Sequence, residues 1–218
     1  MRPLTLEKRD LRTLQDLGMA SIQIVHDLKN QLNGLKLYAT FLRKRLETSE
    51  RPADELEAIA KLISGLERTA SELTVLVRYG RPLELRTRPA VPLDQVLSSV
   101  LSKDDIKEQV QLEIELGSYN GEFDYVALNE ALKTITDRAL SMRRNGDPLG
   151  IHLTRDKQSS LPRVLIEWRG IKTSENDEFR TLAGSDGLRM ALAAKIIEGH
   201  QGKAEQQNGL LRVSLPID

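Results

Sequence analysis

The apolar residues Leu56, Ile59, Ile63, Leu66, Ala70, Leu73 and Val77 alternate spacings of three and four, the period of a coiled-coil seam and incompatible with a strand. An upstream stretch answers with Val25, Leu28, Leu32, Leu35, Ala39, Leu42 and Leu46. Two long helices therefore span roughly residues 4–79, with a break at Thr48-Ser49-Glu50-Arg51-Pro52, where Pro52 suits the first turn of a new helix. A lone hairpin would leave parts of Ile22, Ile24, Leu37, Phe41 and Leu62 in water. A second copy completing a four-helix bundle removes that exposure, so a homodimer is expected.

On the polar side of the first helix lies Val25-His26-Asp27-Leu28-Lys29-Asn30-Gln31-Leu32. If Val25 and Leu28 sit in the seam, His26 falls just outside it, with Asn30 one turn further on the same face. An exposed imidazole titrating near neutrality can take and release a phosphoryl group, the adjacent Asp27 can accept or orient its ring proton, and Asn30 can hold an attacking water. Lys29, Lys36 and Arg43 recur every seven residues beside the seam with Asn33 between. This basic stripe suits an acidic partner, or is the solvated flank of a coiled coil.

After Gly80-Arg81-Pro82 the pattern changes. Strand-like runs at 110–116, 150–154 and 164–168 alternate with helical patterns near 93–102, 124–143 and 187–199, and a closing hairpin at 203–207 and 210–215 turns on Asn208-Gly209. The expected class is α+β: a helical hairpin over 1–82, then an α/β sandwich over 83–218. The 218 residues suffice for two such units. Lys+Arg and Asp+Glu are equal at 32 each, so overall charge calls for neither nucleic acid nor an acidic membrane. The chain has no cysteine, which excludes disulfides, zinc–thiolate sites and thiol nucleophiles. No apolar run approaches membrane-spanning length and Met1-Arg2-Pro3 opens no leader, so a cytoplasmic protein is expected. His152 and His200 have no acidic or histidine companion at ligand spacing and are expected to serve the core or surface.

The His26-Asp27-Leu28-Lys29-Asn30 motif resembles the dimerisation and phosphotransfer domain of bacterial sensor histidine kinases, whose signature reads His, acidic, Leu, basic, Asn and commonly Pro. Gln31 stands in place of the proline. Arg78-Tyr79-Gly80-Arg81-Pro82-Leu83 is similar to the exit segment of nitrogen-regulator-type kinases. The resemblance implies that His26 is the phosphoacceptor, Asp27 its acid/base neighbour, and Asp27-x-x-Asn30 the pair used to dephosphorylate a response regulator.

Such kinases continue into an ATP-binding α/β sandwich, and the order of elements from residue 84 is similar to it. Its nucleotide-binding residues differ. The helix at 124–139 matches the family's asparagine-box helix in its apolar frame, but Arg138 stands at the magnesium-binding asparagine. A guanidinium has donors only and cannot ligate Mg²⁺. Asp137 is a poor substitute, because one residue along a helix is a rotation of about 100°. Trp168 stands where the adenine-binding aspartate belongs, and of the glycines that follow only Gly170 survives. The segment between Gly170 and Gly187, where the family places a glycine-bearing lid, carries Glu175, Asp177 and Glu178, charges that would repel a triphosphate. Ser185-Asp186-Gly187-Leu188-Arg189-Met190 aligns with a loop normally richer in glycine, while Glu198-Gly199-His200-Gln201-Gly202 keeps the family's frame.

The resemblance thus implies a kinase fold with its nucleotide site lost. Stand-alone histidine phosphotransferases, the sporulation phosphotransferase among them, have this character. The expected function is phosphoryl transfer between His26 and a response-regulator aspartate. His26, Asp27 and Asn30 would do the chemistry; Lys29, Asn33 and Lys36 would meet the receiver domain. No cofactor is expected, Mg²⁺ coming with the regulator. An active sensor-kinase core and a non-enzymatic dimeric adaptor are the alternatives.

Overall fold

The computed structural model describes residues 8–47, 53–102, 108–144, 147–173, 177–182, 184–207 and 209–218, without the side chains of 8–20, 22–24, 26, 27, 45, 47, 53 and 54. The chain divides into two compact units, Met1–Pro82 and Leu83–Asp218. In the first, helix α1 (Lys8–Glu47) packs on helix α2 (Ala53–Gly80). The break at 48–52 lies outside the described residues. The α2 seam faces inward as its period demands, with Ile63 buried and Leu56, Ile59, Leu66, Ala70, Leu73 and Val77 half-buried. In α1 the seam splits. Val25, Leu32, Ala39 and Leu46 are covered, whereas Leu28, Leu35 and Leu42 remain 45%, 55% and 52% exposed. One partner helix covers only half of an a/d stripe, so two helices leave the other half bare. Among the described residues no helix is long and apolar enough to cross a membrane.

The second unit follows the order β1 (Arg88–Pro92), α3 (Leu93–Val100), β2 (Val110–Ile114), β3 (Asn120–Phe123), α4 (Tyr125–Ser141), β4 (Leu149–Arg155), β5 (Arg163–Arg169), α5 (Gly184–Gly199), β6 (Lys203–Gln207) and β7 (Leu210–Pro216). Strands β2-β4-β5-β7-β6 form a mixed sheet, parallel between β2 and β4 and antiparallel elsewhere. Successive strand residues alternate faces. One face carries Leu149, Ile151, Leu153, Val164, Ile166, Trp168, Leu211, Val213 and Leu215, all with no exposed surface, and α3, α4 and α5 add Leu97, Leu128, Leu132, Ile135 and Ile197 to this core. The result is the two-layer α+β arrangement expected from the alternating patterns.

Two details depart from the sequence pattern. Strands β1 and β3 pair antiparallel as a separate ribbon, unforeseen because Pro89 and Pro92 in one and Asn120-Gly121 in the other read as turn residues. The run at 110–116 ends as a strand at Ile114, with a last backbone bond from Glu115 N–H to Leu153 O at 2.9 Å, leaving Leu116 99% exposed. The closing hairpin forms as expected, β6 and β7 pairing from Lys203↔Ser214 to Gln207↔Leu210, with Asn208 outside the described residues.

The other sheet face is charged. Glu167 lies there with its side chain only 5% exposed; one carboxylate oxygen accepts from Arg169 and the other from Arg212 at 2.7 Å. Burial by itself would raise its pKa, but the two guanidiniums outweigh that and hold it below the ordinary 4.5. Because the folded value is the lower one, the contribution to stability is complete above pH 4.5 and is lost as pH falls through the folded value. Glu167→Gln is therefore expected to lower stability at neutral pH and to flatten the acid limb of stability against pH, measured by urea melts from pH 7 to 3. An unchanged limb would rule out this carboxylate as a source of acid sensitivity.

Candidate functional site

The backbone at positions 26 and 27 is helical, within α1. The side chains of His26 and Asp27 lie outside the described residues. Helical periodicity places positions 26, 30, 33 and 37 on one stripe of α1. Along it Asn30, Asn33 and Leu37 are exposed, and Phe41, one turn beyond Leu37, is 62% exposed. The stripe is long, accessible and mixed in character, with amides nearest position 26 and apolar groups further along.

Lys29, Lys36 and Arg43 are each half-buried. They sit at the edge of the α1–α2 contact, where long aliphatic stems can lie over a seam while the charged ends reach water. Lys36 Nζ is 2.7 Å from Glu67 Oε1 of α2, so its charge is shared within the unit. Lys29 shows no such ion pair among the described residues, and Asn33 is a neutral amide.

The second cluster of candidate residues surrounds the end of α4. Its start is fixed by Asp124, whose Oδ1 accepts from the backbone N–H of Val126 at 3.0 Å and Ala127 at 3.1 Å, while Oδ2 accepts from Arg86 N–H at 2.8 Å. This N-cap sets the register of the helix that carries Thr136 and Arg138. Trp168 of β5 is completely buried, and its Nε1–H donates to Thr136 Oγ1 at 3.0 Å. The Thr136 hydroxyl in turn donates to Leu132 O at 2.8 Å. The indole thus fills the space beneath α4 and presents no acceptor. Glu167, its neighbour in sequence, cannot substitute, because alternation places it on the opposite sheet face.

Arg138 reaches out of α4 towards segment 177–182. Its Nε donates to Glu178 Oε2 at 2.8 Å; Nη1 lies 3.4 Å from Ser141 Oγ and 3.5 Å from Asp186 Oδ2. Glu178, expected from the sequence to project a repelling charge, is instead buried, its side chain 5% exposed. Its backbone N–H donates to Gln206 Oε1 of β6 at 2.7 Å, and Phe179 beside it is 4% exposed. Asp177 is exposed and caps the backbone N–H of Phe179 at 3.0 Å; Glu175 lies outside the described residues. Beside Arg138 lies a cavity of about 190 Å³ lined by Thr134, Asp137, Arg138, Ser141, Asp186, Arg189 and Met190.

The two retained glycines have separate structural duties. Gly170 has φ +85°, a left-handed conformation that strains side-chain-bearing residues, and its carbonyl accepts from Arg144 N–H at 3.1 Å. Gly187, buried in the first turn of α5, faces Thr181: a Cβ there would sit 3.0 Å from both Thr181 Cγ2 and Thr181 O. The glycine is what allows segment 177–182 to lie against α5.

The remaining histidines serve structure. His152 Nδ1 is 3.0 Å from Glu113 Oε2 on the charged sheet face. His200 is 4% exposed; Nδ1 donates to Ile196 O at 2.8 Å and Nε2 accepts from Asp124 N–H at 3.0 Å. Among the described residues no group of three or more histidine and carboxylate side chains is placed to hold a metal ion.

Sequence reasoning missed Thr136 and read Glu178 as a projecting charge rather than as the partner of Arg138. The signals were an inward hydroxyl in an otherwise apolar helix frame and an acid within a segment facing an unexpected arginine.

No family model matches the sequence. The sensor histidine kinase ZraS of Salmonella typhi is 25% identical over 229 aligned residues, covering 92% of this chain and 46% of ZraS; its Salmonella typhimurium counterpart is 24% identical over the same span. The chain therefore spans about half the length of the curated relatives it matches. Among solved structures, full-length ShkA in complex with AMPPNP matches 89% of this chain and 44% of its own, with a TM-score of 0.63 and 16% identity. The Acinetobacter baumannii histidine kinase AdeS matches 88% of this chain and 98% of its own, with a TM-score of 0.56 and 17% identity.

Proposed function

From homology to sensor histidine kinases and a shared histidine-kinase core fold, we propose that this chain is a histidine phosphotransfer protein of a two-component phosphorelay. It passes a phosphoryl group between His26 and a response-regulator aspartate without binding ATP. One observation carries the second half of that reading: both positions where the resemblance calls for nucleotide acceptors hold donors already engaged inside the protein, Trp168 with Thr136 and Arg138 with Glu178. Donor-only groups supply neither the adenine-binding acceptor nor a Mg²⁺ ligand.

In the transfer, an imidazole nitrogen of His26 attacks the phosphorus of the regulator's aspartyl phosphate in line. The P–N bond forms as the P–O bond breaks, and the aspartate leaves as carboxylate; the reverse reaction regenerates it. Asp27 orients the ring through its other nitrogen. Mg²⁺ comes with the regulator, so this chain contributes position and charge neutralisation. Lys29 and Asn33 beside the site face the receiver's acidic pocket, and Lys36 supports them with a charge partly answered by Glu67. A cytoplasmic homodimer with a four-helix bundle completes the proposal; the half-exposed Leu28, Leu35 and Leu42 supply its apolar stripe.

The decisive experiment offers purified protein two donors separately, radiolabelled ATP with Mg²⁺ and a pre-phosphorylated response regulator. Label acquired from the regulator alone supports the proposal. Label from ATP would establish an autokinase, the reading favoured by a structural neighbour solved with AMPPNP. Label from neither would favour an adaptor that binds a regulator through the bundle.

Asn30→Ala is expected to leave transfer intact but slow loss of phosphate from the partner regulator by about tenfold, since one hydrogen bond to an attacking water is removed. Single-turnover decay of labelled regulator measures this. Unchanged decay would remove Asn30 from the site.

A further inference from the structure

In the second unit, segment 177–182 is held against the elements around Arg138. Three contacts from three surrounding elements converge on segment 177–182. Arg138 of α4 grips the Glu178 carboxylate at 2.8 Å, and Gln206 of β6 accepts the Glu178 backbone N–H at 2.7 Å. Phe179 is buried, and Thr181 lies so close to Gly187 of α5 that a Cβ there would sit 3.0 Å from its Cγ2 and carbonyl oxygen, displacing it by a few tenths of an ångström. The Glu178 side chain is 5% exposed, an unusual place for a carboxylate unless a partner charge holds it. That partner is Arg138, whose planar donor array suits the oxygens of a carboxylate or a phosphate equally.

We propose that Glu178 is an internal ligand: its carboxylate occupies the Arg138 guanidinium in place of a phosphate oxyanion and latches segment 177–182 shut over the cleft. The proposal rests on the reading of this unit as a nucleotide-type fold that no longer takes nucleotide, and it adds the cause of the closure. The ion pair is mostly screened from solvent, so removing one charge leaves the other without its main partner. A freed Arg138 is then an anion site. In the wild type the tethered carboxylate outcompetes dilute anions because its effective concentration is set by the fold.

The test uses the full chain and two readouts. The first is hydrogen exchange of the amides of residues 178–181, with β5 and β7 as internal reference. The second is titration with inorganic pyrophosphate without metal. In Glu178→Gln, nearly isosteric but uncharged, exchange across 178–181 is expected to accelerate at least about tenfold while the strands are unchanged. Pyrophosphate is expected to bind this variant at least about tenfold more tightly than wild type, and the Arg138→Ala/Glu178→Gln double variant is expected to lose that gain. Absence of either effect, or persistence of the pyrophosphate gain without Arg138, overturns the proposal. Should Glu178→Gln fail to fold, Gly187→Ala tests the same closure by pushing Thr181 away; equal exchange in that variant and wild type also overturns it. Regulator-to-His26 transfer, run on the same wild-type preparation, separates the two readings. Its failure removes the phosphotransfer function and leaves the latch measurements standing.

Discussion

Replacing His26 with alanine is expected to reduce phosphoryl exchange with a response regulator to background, a fall of about a thousandfold or more, while leaving the oligomeric state unchanged. The size of the effect follows from the chemistry: a nucleophile that forms the covalent intermediate has no substitute within the same site, so its removal abolishes the path rather than slowing it. Structural neutrality follows from the position. Residue 26 lies on the same stripe of α1 as the exposed amides Asn30 and Asn33, away from the seam formed by Val25, Leu32, Ala39 and Leu46. Alanine also has the highest helix propensity, so α1 is expected to retain its helicity. Acid-labile label from a pre-phosphorylated regulator, together with light scattering of the variant, makes the measurement. Transfer retained by a correctly assembled His26→Ala protein would sink the assignment, whatever the second unit does.

Trp168→Ala is expected to bring the largest loss of stability, about 3–5 kcal/mol, typical for removing a buried large aromatic side chain. Trp168 has no exposed surface and stands in the central strand β5, flanked by β4 and β7, so the cavity left behind has no route to collapse. Thr136 would keep its bond to Leu132 O and lose the indole donor, a smaller cost. Trp168→Phe isolates the two contributions, since it keeps most of the ring and loses the N–H; about 1–2 kcal/mol is expected for it. Urea denaturation followed by circular dichroism measures both. Trp168→Asp, which restores the residue the resemblance calls for, is expected to be at least as damaging as alanine, because it adds a buried carboxylate to the same cavity. Full stability in Trp168→Ala would mean that the indole is not part of the core, and would reopen the space beneath α4 to a ligand.

Much of the architecture was legible from periodicity. The three-four spacing from Leu56 to Val77 predicted a helix that packs, and α2 buries that face. Alternation in 150–154 and 164–168 located β4 and β5, and Asn208-Gly209 located the β6–β7 hairpin. The ribbon β1–β3 was hidden because its prolines and its Asn-Gly pair are turn formers by local chemistry, and only pairing with each other makes them strands. In the candidate site, the substitutions at Arg138 and Trp168 were visible as departures from a motif, but their partners were not. Thr136 lies 32 residues from Trp168 and Glu178 lies 40 residues from Arg138.

The sequence alone determined that an imidazole, a carboxylate and an amide stand at positions 26, 27 and 30 and that the groups at Arg138 and Trp168 could not accept or ligate, because donor and acceptor capacity belongs to the side chain itself. Only the tertiary structure decided what Glu178 does. As a free charge it would repel a phosphate; held 2.8 Å from a guanidinium and screened from water, it is an internal partner of Arg138 instead. Electrostatic energy depends on distance and dielectric surroundings, and neither is written in the order of residues.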